Sequence, residues 1–398
     1  MSEPLLVGIE ADRAWQAILA IAADLERQDT PTSPSLSNGL AGEALFFAEV
    51  ARARDDDEAA EAALRRLEQA LDRLGNHASS PALFGGFAGV GWTLSHLEDR
   101  LLESEDASDQ AVEQALLELL KQPLWAGPYD LVHGLVGFGV YALETLPRPG
   151  AKHLLERVVH HLGATAVEGP EGFFWHSAPQ WLPPHQRRAA PQGHVDMGLA
   201  HGVPGVVALL AAIATQEIAP RRVRDLLDGT VAWLLAQARK DELSAQSAFP
   251  HFLVPGLEPE ASRLAWCYGD LGIALALESA ARVAHRADWR EEALSLALEA
   301  SGRTPAQGRV EDAGLCHGAA GVGHLLHHMY RDTGNDELGA AARRWLRTAL
   351  DLRRPDRGVG GYQAWAPSRG GWIDDRSWLT GAAGVGLALL SAVTPWER

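Results

Sequence analysis

Two kinds of helical pattern alternate along this chain. The first is amphipathic: Leu64, Leu67 and Leu71 fall on one stripe at helical spacing, while Glu61, Arg65 and Glu68 lie off it. Patterns of this kind predict helices over 11–27, 58–74, 108–121, 151–161, 221–239, 289–300 and 337–352. The second kind carries little charge on any side, as in 206–214, 273–284 and 385–393, and predicts helices buried all round. Each apolar helix follows a Gly-x-x-Gly. The glycine pairs are Gly39/Gly42, Gly86/Gly89, Gly134/Gly137, Gly202/Gly205, Gly269/Gly272, Gly318/Gly321 and Gly381/Gly384. One such pair is noise, but seven at related spacing are a repeat architecture.

Amphipathic and apolar helices in alternation make seven helical hairpins. The expected fold is all-α: an (α/α) toroid over residues 1–398 as one domain, with the apolar helices as an inner ring. An open solenoid is the alternative, but it needs polar capping repeats, and the last repeat, 379–390, is as apolar as the middle ones. No β periodicity rises above isolated short runs. The glycines fit helix starts crowded around a narrow axis, where backbone approaches backbone. Three connections, 163–200, 241–265 and 353–378, exceed simple turns and carry Pro, Trp and Phe. In a toroid they gather at one end and shape a mouth; ordinary packed loops are the alternative.

Composition narrows the function. A chain of 398 residues, 46% hydrophobic and 22% charged, buries a large core as a soluble globular protein. Its net charge of −17 argues against nucleic acid and against a polybasic membrane surface. No run of 18 apolar residues occurs, and Met1–Asp12 carries three acidic residues in place of a signal-peptide core. A reducing cytoplasm is the expected compartment. Two cysteines cannot build a disulfide framework, so metal or catalysis is the better use for them.

Superposing the repeats turns alignment into geometry. The residue before the first glycine is Asn38, Gly85, His133, His201, Tyr268, His317 and Thr380 in turn. If every apolar helix begins near the axis, these side chains converge. One residue earlier stand Ser37, Phe84, Val132, Ala200, Cys267, Cys316 and Leu379, so the fifth and sixth repeats offer equivalent thiols. Cys267, Cys316 and His317 thus make a Cys₂His set, the donors that Zn²⁺ prefers, with a fourth position open to substrate. Two buried structural cysteines are the bland alternative. His324, His327 and His328 lie within a helix without a cysteine and read as packing or surface residues. His194 and Asp196 read as loop hydrogen-bonding groups. His133 and Gly85 carry no weight in this reading.

Trp266-Cys267-Tyr268-Gly269 and Cys316-His317-Gly318 resemble the two signature motifs of the LanC-like lanthionine synthetases, the cyclases of lanthipeptide biosynthesis. Tyr129-Asp130-Leu131, Ala200-His201-Gly202-Val203-Pro204-Gly205, Arg263 and the terminal Leu379-Thr380-Gly381 are also similar to that family, over nearly the whole chain. The resemblance implies an α/α toroid with one central zinc. It implies Michael-type addition of a cysteine thiolate to dehydroalanine or dehydrobutyrine in a dehydrated precursor peptide. His201 would be the acid/base, Asp130 its orienter, and Arg263 a restraint on that carboxylate or a stabiliser of the enolate, with Tyr268 assisting. A structural ion pair is the alternative for Asp130 and Arg263. The resemblance is to standalone cyclases, which implies a separate dehydratase as partner and a place beside a membrane-associated biosynthetic complex. Two other readings stay open: addition of a small thiol such as glutathione to dehydroamino acids, and a non-catalytic zinc-stabilised scaffold that binds peptides. A glycosidase is weaker, since no carboxylate pair stands out in the central slots.

Overall fold

A computed structural model describes residues 3–28, 31–76, 79–101, 108–238 and 246–395. The amphipathic patterns form α1 (Ile9–Arg27), α3 (Asp57–Asn76), α5 (Ser108–Leu119), α7 (Pro149–Thr165), α10 (Pro220–Ala236), α12 (Ala287–Ser301) and α15 (Asp336–Leu352). The apolar helices between them are α2 (Leu40–Arg54), α4 (Phe87–Leu101), α6 (Leu135–Glu144), α9 (Val203–Ala214), α11 (Asp270–Ala284), α14 (Ala319–Thr333) and α16 (Ala382–Val393). Two short helices, α8 (Pro184–Ala189) and α13 (Pro305–Gly308), were not legible as periodicity. The end of the expected fifth amphipathic helix, at Arg239, falls outside the described residues.

Contacts divide the chain into two compact units. One comprises Met1–Ser80, Phe84–Glu105 and Ser301–Arg398; the other comprises Pro81–Leu83 and Asp106–Ala300. In the first unit the apolar helices pack in the order α14, α16, α2, α4. The amphipathic helix α15 covers α14, and α3 covers α2. An apolar helix therefore takes as its hairpin partner the amphipathic helix that follows it. The connections explain this: α2 and α14 each end on a left-handed residue, Asp55 or Gly334, and the next helix starts within two residues. Turns this short make neighbours antiparallel. The helix α1 covers α16, with the Leu6 amide donating to the Ala392 carbonyl at 2.9 Å. The helices α1 and α16 thus shield each other's apolar faces within this unit.

Burial follows the stripe. In α15 the buried residues Leu338, Ala342, Trp345, Leu346 and Ala349 recur at three and four, and each buried leucine contributes about 1.5–3 kcal/mol. Asn335 begins that helix by accepting the Glu337 and Leu338 amides on its side chain, which contributes about 1 kcal/mol. In the second unit α6, α9 and α11 pack in that order, with α7 on α6 and α10 on α9.

The glycine turns share one geometry. The amide after the first glycine donates to the carbonyl seven residues back: Leu40 to Ser33, Phe87 to Ser80, Leu135 to Pro128, Ala319 to Asp312 and Ala382 to Asp375, at 2.8–3.3 Å. A Cβ on Gly134 would lie 1.8 Å from the Pro128 carbonyl oxygen, so only glycine fits. The crowding at this first glycine comes from the chain's own preceding turn, not from a neighbouring helix as expected. At the second glycine the chain's own turn is again nearest, with a Cβ on Gly384 1.9 Å from the Trp378 carbonyl oxygen, and a neighbouring side chain, Leu315, comes next at 2.9 Å.

The long connections hold short antiparallel ribbons. The first carries β1 (Val167–Gly169) paired with β2 (Gly172–Phe174), then β3 (Val195–Asp196), which pairs with β4 (Phe252–Leu253) of the second. The third carries β5 (Ala364–Ala366) paired with β6 (Gly371–Ile373). Strands of two or three residues are too short to show a period of two.

One buried ion cluster fastens the first unit. Glu43 in α2, its side chain 1% exposed, accepts from Arg66 Nε at 2.9 Å and from Arg376 Nη2 at 3.0 Å, and Arg66 also reaches Glu26 at 2.6 Å. Arg66 lies over the Phe47 ring, 4.2 Å from its centroid. The cluster ties α1, α2 and α3 to the turn before α16. Removing Glu43 strands a buried guanidinium, so Glu43→Ala is expected to cost about 3–5 kcal/mol in urea denaturation. Glu43→Gln, which keeps a hydrogen-bond acceptor, should cost less; equal midpoints for Glu43→Ala and the parent protein would refute the role.

Candidate functional site

The slot before each first glycine escapes the core. Its occupants Asn38, His133, His201, Tyr268, His317 and Thr380 are exposed or half-buried, while the glycines that follow them are all buried. The turn therefore holds its backbone inside and puts one side chain out. In the second unit this brings three repeats together.

Asp130, four residues before Gly134, is the centre of that group. Its Oδ1 accepts the His133 backbone amide at 2.6 Å, which fixes the carboxylate plane. Its Oδ2 lies 3.3 Å from Nδ1 of His133 and 3.1 Å from Nδ1 of His201. The two imidazoles are nearly parallel, with centroids 5.5 Å apart. Burial alone would raise the Asp130 pKa, but the hydrogen bonds from His133 and His201 outweigh it and bring it down to about 2. The carboxylate is therefore ionised and accepts only, so both rings carry their hydrogen on Nδ1. For His201, burial opposes the charged form, yet the hydrogen bond and charge of Asp130 outweigh burial and hold its pKa above the usual value. Its Nε2 is left for a substrate.

Tyr268 occupies the same slot one repeat on. Its hydroxyl donates to Asp196 Oδ2 at 2.9 Å, while Asp196 Oδ1 accepts the Gly198 amide at 2.8 Å. Burial, reinforced by the Asp196 charge, pushes the phenol pKa up, so Tyr268 stays protonated. Asp196 is thus a turn-forming acceptor, as its sequence position suggests. His194 is buried, stacks on Phe252 at 4.7 Å and has no hydrogen bond at either nitrogen.

These groups form one wall of a cavity of about 620 Å³. The facing walls come from the first long connection and the segment before Asp130: Trp125, Tyr129, Trp175, His176, Trp181 and Leu182. Trp175 is buried, with its indole N–H on the Leu162 carbonyl at 3.0 Å, whereas Trp181 is half exposed. The first of the expected mouth-forming loops therefore lines the site with tryptophan.

Cys267 precedes Tyr268 and is half-buried; its carbonyl accepts the Ala200 amide at 3.3 Å, which ties its turn to that of His201. In the first unit Cys316 is buried and its amide donates to the Leu379 carbonyl at 2.8 Å, with His317 half-buried beside it. Neither cysteine is in a disulfide. Arg263 is exposed, and it holds the turn position taken in other repeats by Asp196, Asp312 and Asp375. The partners of Asp130 are the two histidines. His133, which carried no weight in the sequence, joins Asp130 and His201; its place in the polar slot was the signal. His324, His327 and His328 are packing residues: His324 Nδ1 meets Ser391 Oγ at 2.9 Å, and burial holds all three pKa values low.

Residues 30–398 match the family model described as lanthionine synthetase C-like protein. Among solved structures the chain is similar to nisin cyclase, with 19% identity, a TM-score of 0.75, and coverage of 95% of this chain and 93% of that one. It is also similar to unsaturated glucuronyl hydrolase from Streptococcus agalactiae, at 12% identity and a TM-score of 0.51, covering 100% of this chain and 94% of that one. At such identities the likeness concerns fold alone, and it bears out the expected all-α toroid class. Among the described residues no helix is long and apolar enough to cross a membrane. The chain belongs to the lanthionine synthetase C-like family.

Proposed function

We propose that this protein closes thioether rings in a dehydrated precursor peptide, with one zinc held by Cys267, Cys316 and His317. The observation that carries the reading is the Asp130–His201 pair on the wall of a large aromatic cavity, in a chain of this family. The donor set fits the metal: two cysteines outside any disulfide and one histidine are the ligand types that zinc prefers. Bound there, zinc would supply the Lewis acidity that keeps a substrate thiol deprotonated near neutral pH.

The chain's own residues do the rest. Trp125, Trp175 and Trp181 offer apolar surface to a peptide and exclude water from it. Holding thiolate and alkene in one cavity makes ring closure a positioned intramolecular step. As the S–Cβ bond forms, the Cα=Cβ π bond breaks and its electron pair moves toward the adjacent carbonyl. His201 Nε2, having taken the thiol proton, returns one to Cα, so the product has the mass of the substrate. Asp130 keeps the ring oriented and stabilises its charged form. Tyr268, held protonated on Asp196, stands beside His201 at 6.3 Å between centroids. Arg263, exposed four residues before Cys267, is assigned to the developing enolate of a bound peptide.

Three measurements bear on this. Purified protein is expected to hold about one zinc, and Cys316→Ala to lose most of it. Incubation with a dehydrated precursor peptide should consume free thiol, followed by alkylation, at unchanged peptide mass. His201→Ala should slow that by about 10²–10⁴-fold; full activity in this variant would remove His201 from the acid–base role, and no thiol loss with the parent protein would favour a binding scaffold. The pH profile has a definite sign. His201 acts as base only when neutral, so kcat/KM should rise with pH through a value above 6.5, the ordinary histidine pKa. Asp130→Asn removes the charge that raises that value, so the limb should move to lower pH; an unmoved limb would remove Asp130 from this role.

A further inference from the structure

We propose that Asp130, His133 and His201 form a second divalent-cation site that switches the enzyme off when zinc is in excess. Each residue offers one donor atom, and the three donors lie within 4.8 Å of one another. Two donors bound at about 2.0–2.1 Å to a tetrahedral zinc lie roughly 3.3–3.4 Å apart. The observed Oδ2–Nδ1 separations, 3.3 Å to His133 and 3.1 Å to His201, already match that edge. One carboxylate and two imidazoles are donors that zinc accepts.

The site is also prepared and reachable. The His133 amide on Oδ1 holds the carboxylate so that Oδ2 faces both rings. The side chains of His201 and Asp130 are 33% and 12% exposed, so two ligands are set by packing. His133, with its side chain 54% exposed, can swing to close the third edge without disturbing the core. All three residues line the 620 Å³ cavity, which leaves room for the ion to enter and for water as fourth ligand.

The chemistry balances without a redox partner. The ion takes the place of the two Nδ1 hydrogens, and each neutral ring then carries its single hydrogen on Nε2. A histidine metallated at Nδ1 presents an N–H at Nε2 and cannot accept a proton there. Occupation of this site therefore blocks the base assigned above, and this consequence alone rests on the proposed function.

The test counts metal in the full chain dialysed against excess Zn²⁺. The parent protein is expected to bind two ions, Cys316→Ala one, His133→Gln one and Asp130→Asn one. Undiminished zinc in His133→Gln would overturn the second site, whereas undiminished zinc in Cys316→Ala would count against the thiolate site only. Thermal melts of the variants guard against misfolding. Cobalt gives an independent reading: the first Co²⁺ should bring intense thiolate-to-metal absorption, and the second only weak ligand-field bands. Thiolate absorption that grows with both equivalents would overturn the assignment. With peptide, excess zinc should slow the parent by about 10²-fold, the common worth of one acid–base group. Scaled to its own rate at one equivalent, His133→Gln should resist; equal inhibition of both proteins would refute the switch.

Discussion

A single backbone hydrogen bond, repeated along the chain, governs what this molecule can do. In five of the seven turns the amide that follows the first glycine reaches back seven residues to a carbonyl, as Leu135 does to Pro128. The loop closed in this way is so tight that a Cβ on the glycine would overlap that turn. Everything functional hangs on the result. The helix starts at a defined residue, its first turn is buried, and the side chain just before the glycine is put outside the core. The buried backbone groups are satisfied locally, so the slot itself is left open to polar side chains.

Carboxylates show how one turn serves either structure or chemistry. Asp196, Asp312 and Asp375 each accept a backbone amide two residues on, from Gly198, Gly314 and Ser377, and so stabilise the turn. Asp130 stands two residues later in its own repeat, at the site where a carboxylate meets the slot residue instead. One of its oxygens still serves the backbone, through His133; the other is released to two imidazoles. Asp196 does both jobs, since its second oxygen accepts from Tyr268. One buried carboxylate of this acidic chain thus faces a pair of histidines on the wall of an aromatic cavity.

The first unit carries the complementary lesson about cohesion. Its apolar helices pack mainly through apolar surface, with His324 and Ser391 as one polar contact, and Glu43 adds a charged one by gathering Arg66 and Arg376 from separate elements. Such a cluster adds little over a well-packed apolar core, but it specifies which elements must meet, because a lone buried charge is costly. The covering of α16 by α1 belongs to the same unit, so the first and last elements of the chain are fixed by one set of contacts.

Sequence alone determined the helices, the glycine turns and the chemistry of their slots. Each depends on spacing within a few residues: the 3.6 period, the Gly-x-x-Gly and the residue beside it. Superposed repeats also put His201, Cys267, Cys316 and His317 in equivalent slots, as candidates for the chemistry, whereas Asp130 entered only through its resemblance to a motif of the family. Tertiary structure decided the rest. It chose the following helix, not the preceding one, as hairpin partner, through turns only two residues long. It built ribbons too short to have a period, and it set Arg263 out in solvent. It also brought His201 to Asp130, 71 residues earlier in the chain, and so beside His133. Which groups share one carboxylate oxygen depends on ångström-scale convergence of separate turns, and no local pattern of hydrophobic and polar residues encodes that distance.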